Sequence, residues 1–384
     1  MNYETLEEIR LTQQMVQIES SNPGTFEAAM SEFVYDWLRR NTSAEVFREP
    51  VHPGRDNIAA ILRGKSRAHN LTYICHMDTM PAGEGWERPP FSGEIIDGKL
   101  YGRGACDMKA GLAAAMLAFR NLSRLGKPLN YDFQLIATVN EEDAMTGAEQ
   151  AVQDGYVNGD SYVLDAEPTD NRIQVAHKGK TWFELTTHGK TCHASMPQHG
   201  CDAIAVMAEI ITRINRKLAD LPVHPEMGAC TAAFGTIRGG WNPYIVPDVC
   251  TATLDMRLTP PTTNARSVEL VREAIAEGLA KVPGAACDCT ITAQRPAIEK
   301  DNDSFLLAAL RKAVTNVTGG ELPVDFFPGY TDTAVIAALT GCRNCMSFGP
   351  GSLEQAHRPN EFVPCEEITR SVEVMTRLAE DILL

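Results

Sequence analysis

Residues 71–75 (LTYIC) form an apolar run that leads directly into the polar tripeptide His76-Met77-Asp78. The same arrangement recurs at two later places: residues 133–139 before Glu141-Glu142, and residues 162–164 before Asp165-Ala166-Glu167. Strand-like runs of this kind, separated by the helical Ala-, Leu- and Met-rich segment 111–125, predict an α/β fold with a mostly parallel sheet. Because ligands bind at the carboxyl ends of strands in open α/β sheets, we expect these polar residues to line one pocket.

The rest of the pattern divides the chain into a discontinuous domain and an insertion. The first forty residues predict two amphipathic helices with a break at residues 20–24 (SSNPG). Near Gly179 the order becomes strand–helix–strand–strand–helix–strand, which is typical of a compact α+β sandwich of the ferredoxin-like type. From about Asp301 the helix–strand alternation resumes. We therefore predict a larger domain at residues 1–178 and 298–384, with an inserted domain at residues 179–297.

The overall charge restricts the class of partner. Lys and Arg number 35 against 50 Asp and Glu among the 384 residues, which gives a formal net charge of −15. This excess of acid argues against nucleic acid or an anionic membrane as a partner, although a local site for a small anion stays compatible with it. Apolar runs fall short of the roughly 20 residues that a membrane span requires.

Cysteine usage and the N-terminal sequence predict the compartment. The eleven cysteines are an odd number, so they cannot all pair within one chain. The first residues (MNYETLEE) are acidic and lack the positive and then apolar pattern of a signal peptide. We therefore expect a cytoplasmic chain with reduced thiols.

The residue types after the strands are those that bind hard or borderline metal ions. His76 and Asp78 share a face in extended structure, so His76 can bind a metal while Asp78 orients its ring. Glu141 and Glu142 are adjacent and their side chains diverge. This divergence allows one glutamate to bind a metal ion while the other faces a bound water.

Each segment also has an ordinary structural interpretation. Asn140 can be the N-cap of a helix with acidic residues in its first turn. Asp165 and Glu167 can form a polar turn before Pro168, and Asp107 can cap the helical segment that follows it. The shared placement of the segments after strands favours the metal site.

These segments belong to a series of motifs that runs nearly end to end. The series comprises Ser20-Ser21-Asn22-Pro23, His76-Met77-Asp78-Thr79, Leu100-Tyr101-Gly102-Arg103-Gly104, Asp107-Met108-Lys109, Asn140-Glu141-Glu142, Glu167-Pro168-Thr169, Asp255-Met256-Arg257, Gly329-Tyr330-Thr331-Asp332, Phe348-Gly349-Pro350-Gly351 and His357-Arg358-Pro359-Asn360-Glu361. In this order they resemble the dinuclear-zinc amidohydrolases and exopeptidases, the family of aminoacylase, acetylornithine deacetylase, succinyl-diaminopimelate desuccinylase and carboxypeptidase G.

The resemblance implies two zinc ions, and because ligands of these types accept several divalent ions, cobalt or manganese are alternatives. Asp107 would bridge the ions, and its peptide bond to Met108 would be cis. The remaining ligands would be His76 and Glu167 on one ion, and Glu142 and His357 on the other. Asp78 would orient His76, and Glu141 would be the general base for attack by a metal-bound hydroxide.

The resemblance also gives roles to the inserted domain, as a lid and a dimerisation domain. His193 would reach the site of the partner subunit and stabilise the oxyanion, which requires a homodimer. Arg257 would bind a substrate carboxylate. The family often has Asn where this chain has Tyr244, with Asn242 two residues earlier, so both are candidate substrate-binding residues.

Another candidate substrate loop, Gly329–Thr333, includes Gly329 and Thr331. Its ordinary interpretation is a glycine turn that caps the helix beginning near Asp332.

The function that the resemblance implies is zinc-dependent hydrolysis of the amide bond in a small, carboxylate-bearing N-acyl amino acid. A dipeptidase or glutamate-type carboxypeptidase on the same scaffold is the alternative. A catalytically silent binding protein is disfavoured because all five implied ligands and Glu141 are present. A nicotinamide-dependent dehydrogenase is disfavoured because Gly102-Arg103-Gly104 lacks the third glycine of a dinucleotide-binding loop.

Overall fold

The computed structural model describes residues 3–384, which form two compact units. Unit 1 contains the residues up to Ala176 together with Lys300–Leu384, and unit 2 is His177–Glu299. These boundaries lie two residues from those that the sequence predicts.

Unit 1 is built on a mixed sheet in the order β1-β2-β6-β3-β7-β14-β8-β13. Its strands are β1 Glu45–His52, β2 Arg55–Leu62, β3 Gly64–His76, β6 Leu129–Thr138, β7 Tyr162–Asp165, β8 Ile173–His177, β13 Val324–Phe327 and β14 Cys345–Ser347. A small second sheet pairs β4 Ile95–Ile96, β5 Lys99–Tyr101 and β15 Phe362–Pro364. Strand pairs at the centre of the large sheet (β6-β3, β3-β7 and β7-β14) are parallel, and β1-β2, β2-β6 and β14-β8 are antiparallel. The mostly parallel central sheet was predicted from the sequence.

The helices of unit 1 pack their apolar faces against this sheet. They are α1 Glu7–Val16, α2 Ala28–Asn41, α3 Ala110–Leu125, α4 Thr146–Gln153, α7 Phe305–Thr318, α8 Asp332–Thr340 and α9 Cys365–Leu383. The break between α1 and α2 contains the cis peptide bond Asn22-Pro23. Most of α3 is buried, since its alanines permit close packing, and it ends at Gly126 in a left-handed conformation that suits glycine.

Residue pairing across the central strands aligns their carboxyl ends. His76 pairs with Thr138, and Ile74 pairs with Asp165. Tyr73, which precedes Ile74 on β3, is fully buried against Phe133 and donates its hydroxyl proton to the Met375 carbonyl oxygen, 2.6 Å away. Burial of a large apolar side chain contributes about 1.5–3 kcal/mol. The core thus fixes the strands whose ends carry the polar segments.

Unit 2 has the predicted strand–helix–strand–strand–helix–strand order. Its elements are β9 Gly179–His188, α5 Ala203–Ala219, β10 Thr231–Gly239, β11 Val249–Leu258, α6 Asn264–Leu279 and β12 Ala286–Arg295. The antiparallel sheet has the order β10-β11-β9-β12, as in ferredoxin-like sandwiches. Asp202 caps α5 by accepting hydrogen bonds from the amides of Ile204 and Ala205.

Within residues 3–384, every helix is too short or too polar to cross a membrane.

Candidate metal centre and active site

The ends of the central strands bring the predicted polar segments together. His76 is the last residue of β3, while Glu141 and Glu142 follow β6 and Glu167 follows β7. A Cβ atom at Gly111 would lie 2.0 Å from the carbonyl oxygen of Ala166. Glycine therefore permits the first turn of α3 to approach the segment that carries Glu167.

Six side chains form what we call the acidic–histidine cluster. Their donor atoms fall into two groups whose members lie within 4.8 Å of one another: His76, Glu141 and Glu167, and Asp107, Glu142 and His357. Asp107 lies between the groups, with Oδ1 3.1 Å from Nε2 of His76 and Oδ2 3.3 Å from Nε2 of His357. The cluster is mostly buried, although the side chain of His357 is half exposed. The peptide bond from Asp107 to Met108 is cis.

The position of Glu141 leaves two chemical roles open to it. Its Oε2 lies 4.0 Å from Nε2 of His76, and Oε1 of Glu167 lies 3.7 Å from the same nitrogen. A carboxylate at this distance can complete the ligand set around His76. It can also accept a proton from a water beside it, the role that the family resemblance implies.

Burial and crowding of acids shape the electrostatics of the cluster. Burial, together with neighbouring carboxylates, raises the pKa of Glu141 and of Glu167 well above the ordinary value. Burial acts against Asp107 ionisation too, but hydrogen bonds from His357 and His76 outweigh it and lower the Asp107 pKa. Hydrogen bonds to Asp107 and Glu142 raise the pKa of His357 to about 10. The cluster therefore attracts cations, whether protons or metal ions.

The histidine His76 is held in the orientation that a metal ligand requires. Its Nδ1 lies 2.9 Å from the backbone oxygen of Asp78, which accepts the proton of that nitrogen. The carboxylate oxygen Oδ1 of Asp78 is farther away, at 3.7 Å. With Nδ1 as the donor, loss of the Nε2 proton leaves a neutral ring whose Nε2 lone pair faces the cluster, as a metal ligand requires.

The Asp78 carboxylate instead holds the two adjacent glutamates. It accepts hydrogen bonds from the backbone amides of Glu141, at 3.1 Å, and Glu142, at 3.2 Å. The amide of the Asn22 side chain donates a further bond to it, at 2.9 Å. Asp78 therefore supports both segments, through its backbone at His76 and through its side chain at the glutamates.

An ion pair between partly exposed Arg55 and fully buried Glu27 supports the same loop from the other side. Arg55 donates to the carboxylate of Glu27, with Nε 2.6 Å from Oε2, and to Oδ1 of Asn140, at 3.0 Å. Glu27 is fully buried and also accepts the backbone amide of Asn140. Asn140 has a φ of 65°, which asparagine tolerates better than most residues. The backbone just before Glu141 is thus fixed by hydrogen bonds.

The donor set fits two divalent metal ions. Two imidazoles and four carboxylates suit zinc, cobalt or manganese, and Asp107 can supply one oxygen to each ion. Four acids against two histidines leave an excess of negative charge that two cations would offset. Such a centre can activate a water and polarise a carbonyl group.

In unit 2, hydrogen bonds join two segments, one that carries His193 and one that carries Asn242 and Tyr244. We call these two segments the loop pair. The amide of Ala194 donates to the carbonyl oxygen of Tyr244 at 2.9 Å, and Oδ1 of Asn242 accepts the Tyr244 amide at 3.3 Å. His193 is exposed, with Nδ1 2.8 Å from the hydroxyl of Ser195, and Tyr244 is 58% exposed.

Arg257 lies elsewhere in unit 2. It is in β11, where its guanidinium is paired with the carboxylate of Asp255 at 3.0 Å. The loop pair adjoins the first residues of β11, and Arg257 is near the last. At about 3.3 Å per residue, roughly 30 Å of strand separates them. Arg257 and His193 of one chain therefore cannot contact the same small substrate.

The predicted substrate loop in unit 1 is partly turned inward. Thr331 is 1% exposed, and its hydroxyl lies 2.8 Å from that of Thr333, which donates to Asp165. Gly329 is less buried and sits beside the Phe327 ring. The side chain of Thr331 thus supports the sheet, and substrate contacts from this loop are expected from its backbone near Gly329.

Sequence reasoning assigned no role to several residues that hold the cluster in place. Glu361 accepts the backbone amides of Cys106 and Asp107, and Arg103 pairs with it. Glu361 and Asn22 stand in motifs that carry the family resemblance, which was the available signal. Glu27 and Arg55 lie outside those motifs, and nothing in their local pattern marks them.

Comparison with known proteins extends these observations to the whole chain. The model of peptidase family M20/M25/M40 matches residues 73–381. An acetylornithine deacetylase of Proteus mirabilis is 30% identical over 363 residues, covering 93% of this chain and 90% of the relative. A probable succinyl-diaminopimelate desuccinylase of Staphylococcus epidermidis is 25% identical over 386 residues, covering 93% of each. The crystal structure of a tripeptidase from Staphylococcus aureus has the same fold, with a TM-score of 0.83, 20% identity, and coverage of 100% of this chain and 99% of that one.

Proposed function

We propose that this chain, which belongs to peptidase family M20/M25/M40 and is a hydrolase of amide or peptide bonds, cleaves the amide bond of an N-acyl amino acid. The observation that carries the proposal is the position of Asp107. One of its carboxylate oxygens lies near His76 and the other lies near His357. That arrangement supports a centre of two bridged zinc ions. The relatives named deacetylase and desuccinylase support an N-acyl substrate.

When bound, the metal ions would lower the pKa of a water molecule and polarise the scissile carbonyl group. His76 and Glu167 would hold one ion, Glu142 and His357 the other, and Asp107 both. Glu141 takes a proton from the attacking water while the water oxygen bonds to the carbonyl carbon. Glu141 then passes this proton to the amine nitrogen as the C–N bond breaks.

The residues of unit 2 would act on the substrate rather than on the metals. We assign oxyanion stabilisation to His193 and carboxylate binding to Arg257, with Asn242 and Tyr244 beside His193. Because roughly 30 Å of β11 separates Arg257 from the loop pair, one substrate can meet both residues only if they come from two copies of the chain. This supports a homodimer in which His193 serves the partner's site.

The experiment is an assay of zinc-loaded protein on N-acetyl, N-succinyl and N-carbamoyl amino acids and on simple dipeptides. Glu141→Gln is compared with Glu373→Gln, which changes an exposed glutamate on α9. We expect the parent and Glu373→Gln to hydrolyse one acyl class, and Glu141→Gln to lose about 10²- to 10⁴-fold in turnover with unchanged metal content.

Other outcomes would contradict specific parts of the proposal. Loss of zinc from Glu141→Gln would make this residue a ligand instead of the base. Turnover of dipeptides alone would replace the acyl substrate with a peptide. Absence of both turnover and bound metal in the parent protein would refute the hydrolase centre itself.

A further inference from the structure

Glu361 is a fully buried carboxylate outside the acidic–histidine cluster. Its Oε1 accepts hydrogen bonds from two consecutive backbone amides, those of Cys106 at 2.8 Å and Asp107 at 3.1 Å. Its Oε2 accepts a hydrogen bond from Nη1 of Arg103, which is also buried. Both oxygens of this side chain are therefore committed to the segment that contains Asp107.

Glu361 also belongs to the segment of His357, four residues earlier in the chain. The carbonyl oxygen of Glu361 accepts the amide of Gly102, at 2.9 Å, so its backbone is tied to the same segment as its side chain. Asn360, next to it, accepts the amide of Glu87 through its side chain, at 3.0 Å. The chain that carries His357 is thus anchored to the chain that carries Asp107.

We propose that Glu361 is a positioning residue for the metal ion that Glu142 and His357 would hold, which we call the second ion, because it fixes the backbone of Asp107 relative to His357. This inference rests on the proposed metal centre. Asp107 and His357 belong to one donor group, and their atoms Oδ2 and Nε2 are 3.3 Å apart. Residues that orient ligands in this way typically contribute about 10- to 100-fold to metal affinity.

The contacts of Glu361 require a carboxylate. A glutamine can offer its one carbonyl oxygen either to the two backbone amides or to Arg103, and its NH₂ group then faces a donor on the other side. Glu361→Gln is nearly the same size, so it removes an acceptor without opening a cavity. Arg103→Lys keeps the charge but has fewer, less rigidly placed donors, and provides a milder change in the same contact.

Asp132 offers a matched control at the other end of β6. It is a buried carboxylate that also accepts a backbone amide, that of Gly64 at 2.8 Å, and pairs with Arg63 and Arg67. Asp132→Asn therefore makes the same kind of chemical change far from the cluster. Any effect shared by Glu361→Gln and Asp132→Asn reports loss of a buried carboxylate in general.

The test is a zinc titration of the chelator-treated 384-residue protein, in which calorimetry and metal analysis measure binding. We expect the parent and Asp132→Asn to bind two ions, and Glu361→Gln to bind the first with unchanged affinity and the second roughly 10- to 100-fold more weakly. Arg103→Lys should weaken the second ion to a smaller extent. If Glu361→Gln does not fold, as judged by circular dichroism, Arg103→Lys decides the question.

Three results would overturn the inference. The first is an unchanged affinity for the second ion in folded Glu361→Gln, or in Arg103→Lys where that variant decides. The second is an equal loss of affinity for both ions. The third is the same loss of affinity in Asp132→Asn. A parent that binds fewer than two ions would instead refute the proposed metal centre, so the two failures are distinguishable.

Discussion

The acidic–histidine cluster of unit 1 and the loop pair of unit 2 contain polar residues of similar types in opposite environments. In the cluster, buried carboxylates and His76 are held by backbone amides, Asp78 and the ion pair of Arg55 with Glu27. In the loop pair, His193 and Tyr244 are exposed, and backbone hydrogen bonds join the two segments.

This contrast indicates where each region obtains its geometry. Unit 1 fixes the positions of its donor atoms through its own fold, so a metal ion can bind without further assembly. For the exposed residues of the loop pair, we propose that a substrate or another copy of the chain supplies the defined environment. Changes in the first region should therefore alter metal content, and changes in the second should alter turnover at constant metal content.

The largest effect is expected for Asp107→Asn. The substitution removes the one carboxylate that reaches both donor groups, so both ions lose a ligand. We expect loss of both zinc ions on dialysis and a fall in turnover of about 10⁴-fold or more. Metal analysis after dialysis checks this, with Asp132→Asn as control. Retention of two tightly bound ions would show that Asp107 does not bridge them.

A smaller effect is expected for His193→Ala, in turnover alone. Removal of an oxyanion donor costs about 10²- to 10³-fold in turnover, and the metal content should stay at the parent level. Loss of zinc from this variant would contradict the separation of roles between the two regions.

Mixing two inactive variants tests whether His193 acts across a dimer. A hybrid of His193→Ala with Glu141→Gln contains one site with an intact Glu141 and an intact His193 from the other chain. Random reassociation should then restore roughly a quarter of the parent activity. Absence of recovery in verified hybrid dimers would place His193 in the site of its own chain.

The next effect concerns the pH dependence of zinc affinity, which should be a property of unit 1. Hydrogen bonds to Asp107 and Glu142 raise the pKa of His357 to about 10, so this imidazole holds a proton at neutral pH in the metal-free protein. A metal ligand must be a neutral imidazole, so binding releases that proton and affinity rises with pH. Each released proton contributes about a tenfold gain per pH unit. Calorimetry in buffers of different ionisation enthalpy counts the protons, and binding without proton release would contradict the prediction.

The same contrast explains what sequence could predict. The ends of β3, β6 and β7 were predicted because an apolar run followed by polar residues is a local signal. The strand β1 was not predicted, since its residues are half-buried or exposed and include Pro50. The carboxyl-end rule then placed the ligand segments in one region of unit 1.

Long-range supports carry no such signal. Glu361 meets Asp107 across 254 residues of chain, and Glu27 meets Asn140 across 113, so only the folded sheet brings them together. The pairing of Arg257 with Asp255 is different, because residues two apart share a face of a strand, and the sequence contained that information.

The smallest effect follows from that pairing and concerns Arg257→Lys. In the structure Nε and Nη2 of the guanidinium are paired with Asp255, so a substrate carboxylate that binds these two nitrogens must compete with Asp255. A lysine keeps the charge but loses one of two parallel hydrogen bonds, worth about 1 kcal/mol. We expect KM to rise about fivefold, with kcat and metal content near the parent values. Asp255→Asn is the complementary variant, because it frees the guanidinium and should lower KM. A fall in kcat without a change in KM would mean that Arg257 acts on the reacting atoms, and an unchanged KM in both variants would mean that the Arg257–Asp255 pair only stabilises β11.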